Sequence, residues 1–354
     1  MKDQMRRCTR CIVPEQYPGV YFNEEGLCNF CLTQKTPPHP LGQERLLRHL
    51  ASFNNKGIYD CIVPISGGKD SMYILYYVVR ELGLKPVAVN YDSGFMSEIA
   101  RSNMQNGCHR LNVPLIIKRP DQRRQEEMLK MALKVSDVVG EFFHICANCE
   151  TLLRVVAINA AREHNVPVVI WGSSRNQNTT AHDLHHFGTK AFIKRSPIIK
   201  IIKLMPLFFT YAVFNFRQRR EFHVPLKYAW NPLVTIPFTK KNPAFVIFDQ
   251  YIHTTSRQIK ILQDELGWEH PPHTTMRFDC LLHCFGNFQS LNSTGISSDG
   301  IIYCYYLRNN LISRHEALDK EKDVIDRVSS ECKDLLEGLG VEKLKILNKK
   351  TFLK

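Results

Sequence analysis

Ser66-Gly67-Gly68-Lys69-Asp70-Ser71 gathers two hydroxyls, an amine and a carboxylate around adjacent glycines. Glycines side by side let the backbone turn tightly, so that several N–H groups point at one anion. A helix beginning there adds unpaired donors and a positive dipole end. Lys69 contributes a mobile charge, and Ser66 and Ser71 contribute hydroxyl donors. The chemistry these residues suit is the cradling of a polyphosphate. A second kind of chemistry comes from sulfur. Cys8-x-x-Cys11 and Cys28-x-x-Cys31 are two short pairs, each able to grip one ion through a tight knuckle. Four thiolates complete a closed tetrahedral Zn²⁺ site with no position left for substrate, so its role is folding or docking. Cys146-x-x-Cys149 and the later pair Cys280 and Cys284 form a further set. An iron–sulfur cluster, a second zinc site, a disulfide-exchange pair carrying a persulfide, and plain packing are all open to it.

These groups need elements to position them. The apolar run Cys61 to Ile65 reads as a buried strand that delivers the chain into the glycine loop, and Met72–Leu82 reads as the helix after it. Lys85–Tyr91, Pro114–Lys118 and Pro167–Gly172 read as further strands. Helices are expected near Ile99–Leu111, Gln125–Val138 and Leu152–Ala161. This alternation predicts an α/β fold with a parallel, doubly wound sheet. Asp92-Ser93-Gly94 and Gly172 fall where strands end, which is where such a sheet binds ligand. Cys146 and Cys149 are expected at a helix start, where the dipole lowers a thiol pKa. Thr255–Leu266, Leu281–Leu291 and Arg314–Leu336 read as helices.

The expected organisation is a zinc ribbon at 1–35, a linker and helix at 36–58 and a nucleotide-binding α/β domain at 59–195. Residues 196–354 then form a basic aromatic segment and a helical region. In the basic segment, Phe208, Phe209, Tyr211, Phe214 and Phe216 stand among Arg217, Arg219 and Arg220. Stacking of bases with neutralisation of phosphate is one reading; an amphipathic helix that closes the pocket or covers a partner is the other. His182, His185 and His186 read as a solvated loop. Cys61, Cys108, Cys304 and Cys332 read as core residues.

The chain has 354 residues, 44% of them hydrophobic, which suffices for a sizeable core. Its formal charge of +13 favours an anionic partner, RNA or a nucleotide-like substrate among them. Lys2, Arg6, Arg7 and Arg10 replace any apolar signal region, and Ser196–Phe216 is interrupted by Lys200, Lys203 and Pro206. A cytoplasmic protein without a membrane span is expected, and a homodimer is open to it. Twelve cysteines in such a compartment argue for metal or redox chemistry over structural disulfides.

Ser66–Ser71 after a strand is not a Walker A loop. It resembles the PP-loop of the N-type ATP pyrophosphatases, within the adenine nucleotide alpha-hydrolase (HUP-like) superfamily. Residues 8–31, with Cys11-Ile12-Val13-Pro14, Pro18-Gly19-Val20 and Gly26-Leu27-Cys28, resemble the amino-terminal ribbon of particular PP-loop enzymes. Among these are N-acetyl sugar amidotransferases and tRNA-thiolation-like sulfurtransferases. The resemblance covers 8–31 and 59–95 and extends more loosely to about residue 177. It implies an ATP site of Pro64, Ile65, Ser66, Gly67, Gly68, Lys69, Asp70, Ser71, Tyr91, Asp92, Ser93 and Gly172, with Mg²⁺ on the phosphates. Lys69, Asp70, Cys146 and Cys149 are the implied catalytic residues. A Cys-x-x-Cys and a distant cysteine beside such a loop resemble thiolation enzymes in which three cysteines hold a [4Fe–4S] cluster. Cys280, Cys284 or both would then complete the set.

The activity so implied is ATP-dependent sulfur transfer: a carbonyl oxygen of a nucleobase, in tRNA or a free purine, is adenylated and then replaced by sulfur from a sulfur donor. The first alternative is an amidotransferase acting on the N-acetyl group of a nucleotide sugar. That family has no Cys-x-x-Cys at the position of Cys146 and Cys149, which favours sulfur transfer. The second alternative is a non-catalytic RNA-binding protein, against which the intact Ser66–Ser71 loop argues.

Overall fold

The computed structural model describes residues 6–34, 39–53, 57–139, 143–172, 209–210, 212–213, 216–223, 243–252, 258–271 and 277–339. Its centre is a five-stranded, wholly parallel sheet in the order β3-β2-β1-β4-β5. The strands are β1 (Cys61–Pro64), β2 (Pro86–Tyr91), β3 (Leu115–Lys118), β4 (Val168–Trp171) and β5 (Ala244–Ile247). Every residue of β1, β2 and β4 is buried, because helices cover both faces, and their sequences are accordingly continuous apolar runs.

On one face lie α3 (Lys69–Arg80), α4 (Glu98–Leu111) and, far along the chain, a helix at Gln258–Leu266 that we call α7. Met72, Leu75 and Val78 of α3 mesh there with Ala100, Met104, Leu262 and Leu266. Helix α2 (Gln43–Ala51), within the expected linker, joins them through the fully buried Leu46. It follows the short helix α1 (Asn29–Leu32) of the ribbon. The other face is covered by α6 (Phe143–Glu163), with Leu152, Val155 and Ile158 inside.

Beyond α5 (Gln122–Val139), the helices α8 (His283–Thr294), α9 (Ser298–Arg308) and α10 (Arg314–Gly338) form a separate layer. Met128, Leu129 and Leu133 of α5 pack into it beside Phe285, Phe288 and Val328. The same layer receives the amino-terminal ribbon: Ile12, Val13 and Tyr17 share a core with Ile296, Tyr303 and Leu307. The ribbon and the helices that follow Ile296 therefore share one core. Among the described helices, none is long and apolar enough to cross a membrane.

Two expectations are corrected. Residues 196–354 are not only a basic segment and helices, since β5 extends the sheet beyond β4. Helix α6 also begins well before Leu152, at Phe143, so Cys149 stands in its second turn rather than at its start. Dipole effects fade within the first turn and do not reach that thiol. His182, His185 and His186 lie outside the described residues.

Candidate nucleotide site and cysteine centres

The glycine loop is built by exclusion. Gly67 has φ +81°, and a Cβ there would sit 2.1 Å from the Ala100 carbonyl oxygen, so only glycine fits. Its carbonyl is fixed from outside by the buried indole of Trp268, which donates at 2.9 Å, and by the Asn103 amide at 3.4 Å. Asn103 is held in turn by Glu269, whose N–H donates to its Oδ1 while its Nδ2 donates to the Glu269 carbonyl, both at 2.8 Å. Ile65 donates from its N–H to the Val89 carbonyl and accepts from Asn90 Nδ2 at 2.7 Å, fastening the loop to β2. Pro64 closes the strand before it.

Inside the loop, the Ser66 N–H donates to Ser71 Oγ at 3.1 Å and Ser71 Oγ donates to the Gly68 carbonyl at 3.0 Å. Gly68 is the N-cap of α3 and has no side-chain cap, which leaves the first-turn amides for an anion. Lys69 Nζ lies 2.5 Å from Asp70 Oδ1, both side chains about one-third exposed. Burial, with charge from Asp70 added, pushes the Tyr306 phenol of α9 up to about 12. The carboxylate of Asp279 also lies near, 3.6 Å from where a Gly68 Cβ would stand. The helical layer thus reaches the loop, and neither Asp279 nor Tyr306 carries any local sequence signal of this.

At the end of β2, Asp92 is buried and accepts from the Gly94 N–H at 2.9 Å. Its Oδ2 lies 2.7 Å from Arg101 Nη1 and 2.7 Å from Arg119 Nε. Burial raises its pKa, but the bonds from Arg101 and Gly94 and the Arg119 charge outweigh that and hold it below the usual range. Asp92 therefore acts toward neighbouring side chains, with Ser93 on the more open side of the turn. Tyr91 faces the other side of the sheet and stacks edge-on against Phe222. Gly172 follows β4, and a Cβ there would press on Ile74 Cδ1 at 2.8 Å.

Within the described part of the basic segment, Gln218 and Arg219 pack inward while Phe209 is exposed. Arg219 is fully buried, and Gln218 donates to Gln125 and, at 3.4 Å, to the Tyr91 hydroxyl. Arg219 does not present its charge to a nucleic acid, whereas Arg217 and Arg220 on either side of the buried pair are exposed.

The cysteines separate into three groups. Cys280 pairs antiparallel with Met96, with Leu281 N–H donating to the Phe95 carbonyl at 2.8 Å, so it stands at the lip beyond β2. Cys149 and Cys280, both half-buried, pack against one apolar cluster, and Cys146 lies one turn before Cys149 on α6. Cys149 and Cys280 thus come from two elements to one apolar cluster, two thiols of a donor set suited to an iron–sulfur cluster. Cys284 turns away. Its Sγ donates to the Leu281 carbonyl at 3.3 Å, and it hydrogen-bonds Cys332, which together with burial drives the Cys332 thiol pKa up.

In the ribbon, the Sγ atoms of Cys8, Cys11, Cys28 and Cys31 are buried and lie within 4.8 Å of one another. The set fits a tetrahedral metal site. Hydrogen bonds from the other three thiols drive Cys8 toward the thiolate, and hydrogen bonds to the same partners push Cys31 up. Four thiolates cannot share so small a buried volume without a cation. Cys304 of α9 hydrogen-bonds Cys11, so the site touches the helical layer directly. Arg314 and Arg10 reinforce the joint, donating to the carbonyls of Cys8 at 3.2 Å and Arg308 at 3.0 Å.

No family model matches the sequence. An uncharacterized protein of Methanocaldococcus jannaschii, MJ1599, is 24% identical over 230 residues, spanning 63% of this chain and 73% of that protein. Among solved structures, U34-tRNA thiolase NcsA from Methanococcus maripaludis with its [4Fe–4S] cluster aligns over 98% of this chain and 96% of its own. The identity is 11% and the TM-score 0.35. NMN synthetase from Francisella tularensis aligns over 77% and 93%, at 14% identity and a TM-score of 0.31. Neither likeness bears on chemistry, which rests on the residues themselves.

Proposed function

We propose that this chain is an ATP-dependent sulfur-transfer enzyme that adenylates a nucleobase carbonyl oxygen and replaces it with sulfur. The observation that carries the reading is the Met96–Cys280 bridge, which puts a cysteine at the lip beyond β2 while Cys149 packs on the same cluster. Sulfur cannot displace a carbonyl oxygen directly, because oxide is a poor leaving group. In the proposed reaction that oxygen bonds to the α-phosphorus of ATP and pyrophosphate leaves. A sulfur nucleophile then adds to the activated carbon, and AMP departs with the original oxygen.

The amides of Gly68 and the first turn of α3 would bind the phosphates, and Lys69 would leave Asp70 to meet the charge that develops during transfer. Asp70 would hold Mg²⁺, which when bound would neutralise phosphate charge. Cys146, Cys149 and Cys280 would hold the [4Fe–4S] cluster, which when bound supplies a Lewis-acidic iron and a sulfur carrier. Zn²⁺ would sit in the ribbon, in a structural role. The charge of +13 supports RNA as acceptor over a free base.

The test is metal and product analysis on anaerobically purified chain. Zinc with iron and acid-labile sulfide in cluster ratio is expected, together with AMP, pyrophosphate and a thiolated nucleoside when tRNA is supplied. Iron that never binds after anaerobic reconstitution would remove the cluster. No AMP with any acceptor, and a Lys69→Ala variant as active in cells as wild type, would remove the enzyme.

A further inference from the structure

We infer that Arg119 and Arg101, converging on Asp92, form a phosphate subsite at the carboxyl edge of β2 and β3, outside the glycine loop. Both guanidinium groups reach the same oxygen, Asp92 Oδ2, at 2.7 Å. The other oxygen is taken by the Gly94 N–H. One negative charge therefore faces two positive ones, at a carboxylate only 1% exposed. Like charges meeting at a single oxygen repel, a repulsion that solvent screens weakly at Arg101, 20% exposed, and more strongly at Arg119. A second anion on the open side relieves it.

The remaining acid beside Arg101 offsets that residue from the solvent side and leaves Arg119 unanswered. Glu98 is 89% exposed and stands 3.7 Å from Arg101 Nε. Arg119 commits only its Nε to Asp92, and its side chain is 56% exposed. Among the described residues its two Nη groups have no partner, which leaves the bidentate edge that matches phosphate oxygens. The register fixes where this edge lies: Tyr91 pairs with Lys118, and Asp92 donates from its N–H to the Lys118 carbonyl at 3.0 Å. Arg119 thus flanks the turn that carries Ser93, two strands over from the glycine loop, roughly 10 Å away. That offset favours a phosphate of the acceptor over those of ATP. Assigning the phosphate to the acceptor rests on the sulfur-transfer reading; the subsite itself does not.

The experiment compares wild type, Arg119→Gln and Arg119→Lys in the full chain, measuring equilibrium binding of an unmodified tRNA transcript and, separately, of ATP. Arg119→Gln leaves Asp92 paired with Arg101, and thermal melting checks that the fold persists. It is expected to weaken tRNA binding by about 3–10-fold and to flatten the salt dependence by about one phosphate contact, a slope change of roughly 0.7–0.9. Arg119→Lys, which keeps the charge and loses the fork, should fall between. ATP affinity should not change. Weaker ATP binding with unchanged tRNA binding would overturn the assignment to the acceptor, and both affinities unchanged would overturn the subsite. Binding is read without turnover, so a chain that fails to transfer sulfur still decides between these outcomes.

Discussion

The indole Nε1 of Trp268 donates a 2.9 Å hydrogen bond to the carbonyl of Gly67. Trp268 is 2% exposed and lies edge-on to Phe278, so the donor has no freedom to leave. With Asn103 it holds the Gly67 carbonyl on the outer side of the loop, which turns the amides that follow toward the opposite side. Pre-set amides of this kind bind an anion without first having to be ordered.

Replacing Trp268 by Phe keeps a buried ring and removes the donor. The longer Asn103 bond at 3.4 Å then has to satisfy the carbonyl alone. A buried hydrogen bond lost in this way costs about 1–2 kcal/mol. Calorimetry should show ATP bound roughly 5–30-fold more weakly, with the sheet intact by circular dichroism. Unchanged affinity would mean the loop holds its shape without Trp268.

The loop, strands β1 to β4 and the ribbon are legible in the sequence because each is encoded within a short window. A strand–glycine–helix junction and a Cys-x-x-Cys knuckle are local objects, and the apolar runs that form a parallel sheet stand out. What cannot be read there is what joins distant segments. Trp268 reaches Gly67 across 201 positions, and Arg314 reaches Cys8 across 306. Strand β5 has four residues, of which only Val246 is fully buried, so it offers neither a long apolar run nor an alternation. Helix α9 is equally hard to read, since its aromatics lie on several sides and give little period. Spacing alone leaves Cys280 and Cys284 equivalent, and only the packing of α8 on α10 separates them.

Cys280 and Cys284 therefore make opposite predictions. In anaerobically reconstituted protein, Cys280→Ala should lose its iron, as should Cys149→Ala. Cys284→Ala should keep its iron and lose stability, by about 1–2 kcal/mol, because it empties a small volume beside Cys332 in the core. Iron content and denaturant midpoints read the two effects separately. Iron lost from Cys284→Ala and retained by Cys280→Ala would reverse the assignment.

The ribbon metal should stabilise more than the ribbon. Cys304 touches Cys11, Arg10 bonds the end of α9, and Arg314 of α10 bonds the carbonyl of Cys8, so the knuckles are part of the helical layer. Removing zinc with a chelator, or substituting Cys28→Ser, should lower the melting temperature of the whole protein. Hydrogen exchange should quicken in α9 and α10 as well as in residues 6–34. Faster exchange confined to the ribbon would show that it is an independent appendage.

Glu321 gives the layer a pH dependence. It is 2% exposed, accepts from the N–H of Ser297 at 2.8 Å and from the Ser297 hydroxyl, and lies against Gly300. Burial raises its pKa, and the Ser297 bonds and the Arg7 charge only partly oppose that, so it is pushed up to about 7 from 4.5. A carboxyl raised in the folded state holds its proton there at a pH where the unfolded chain has released it. The stability it contributes is complete below about pH 4.5, declines as pH rises, and is gone above about pH 7. The span corresponds to about 3 kcal/mol. Glu321→Gln keeps an acceptor for the Ser297 N–H and a neutral group in the pocket, and it cannot ionise. Its denaturant midpoint should vary less than that of wild type between pH 5 and 8, and at pH 8 the variant should be the more stable of the two. A variant that followed the wild-type pH profile would show that Glu321 is already ionised in the folded chain at neutral pH, with its charge satisfied by Ser297 and Arg7.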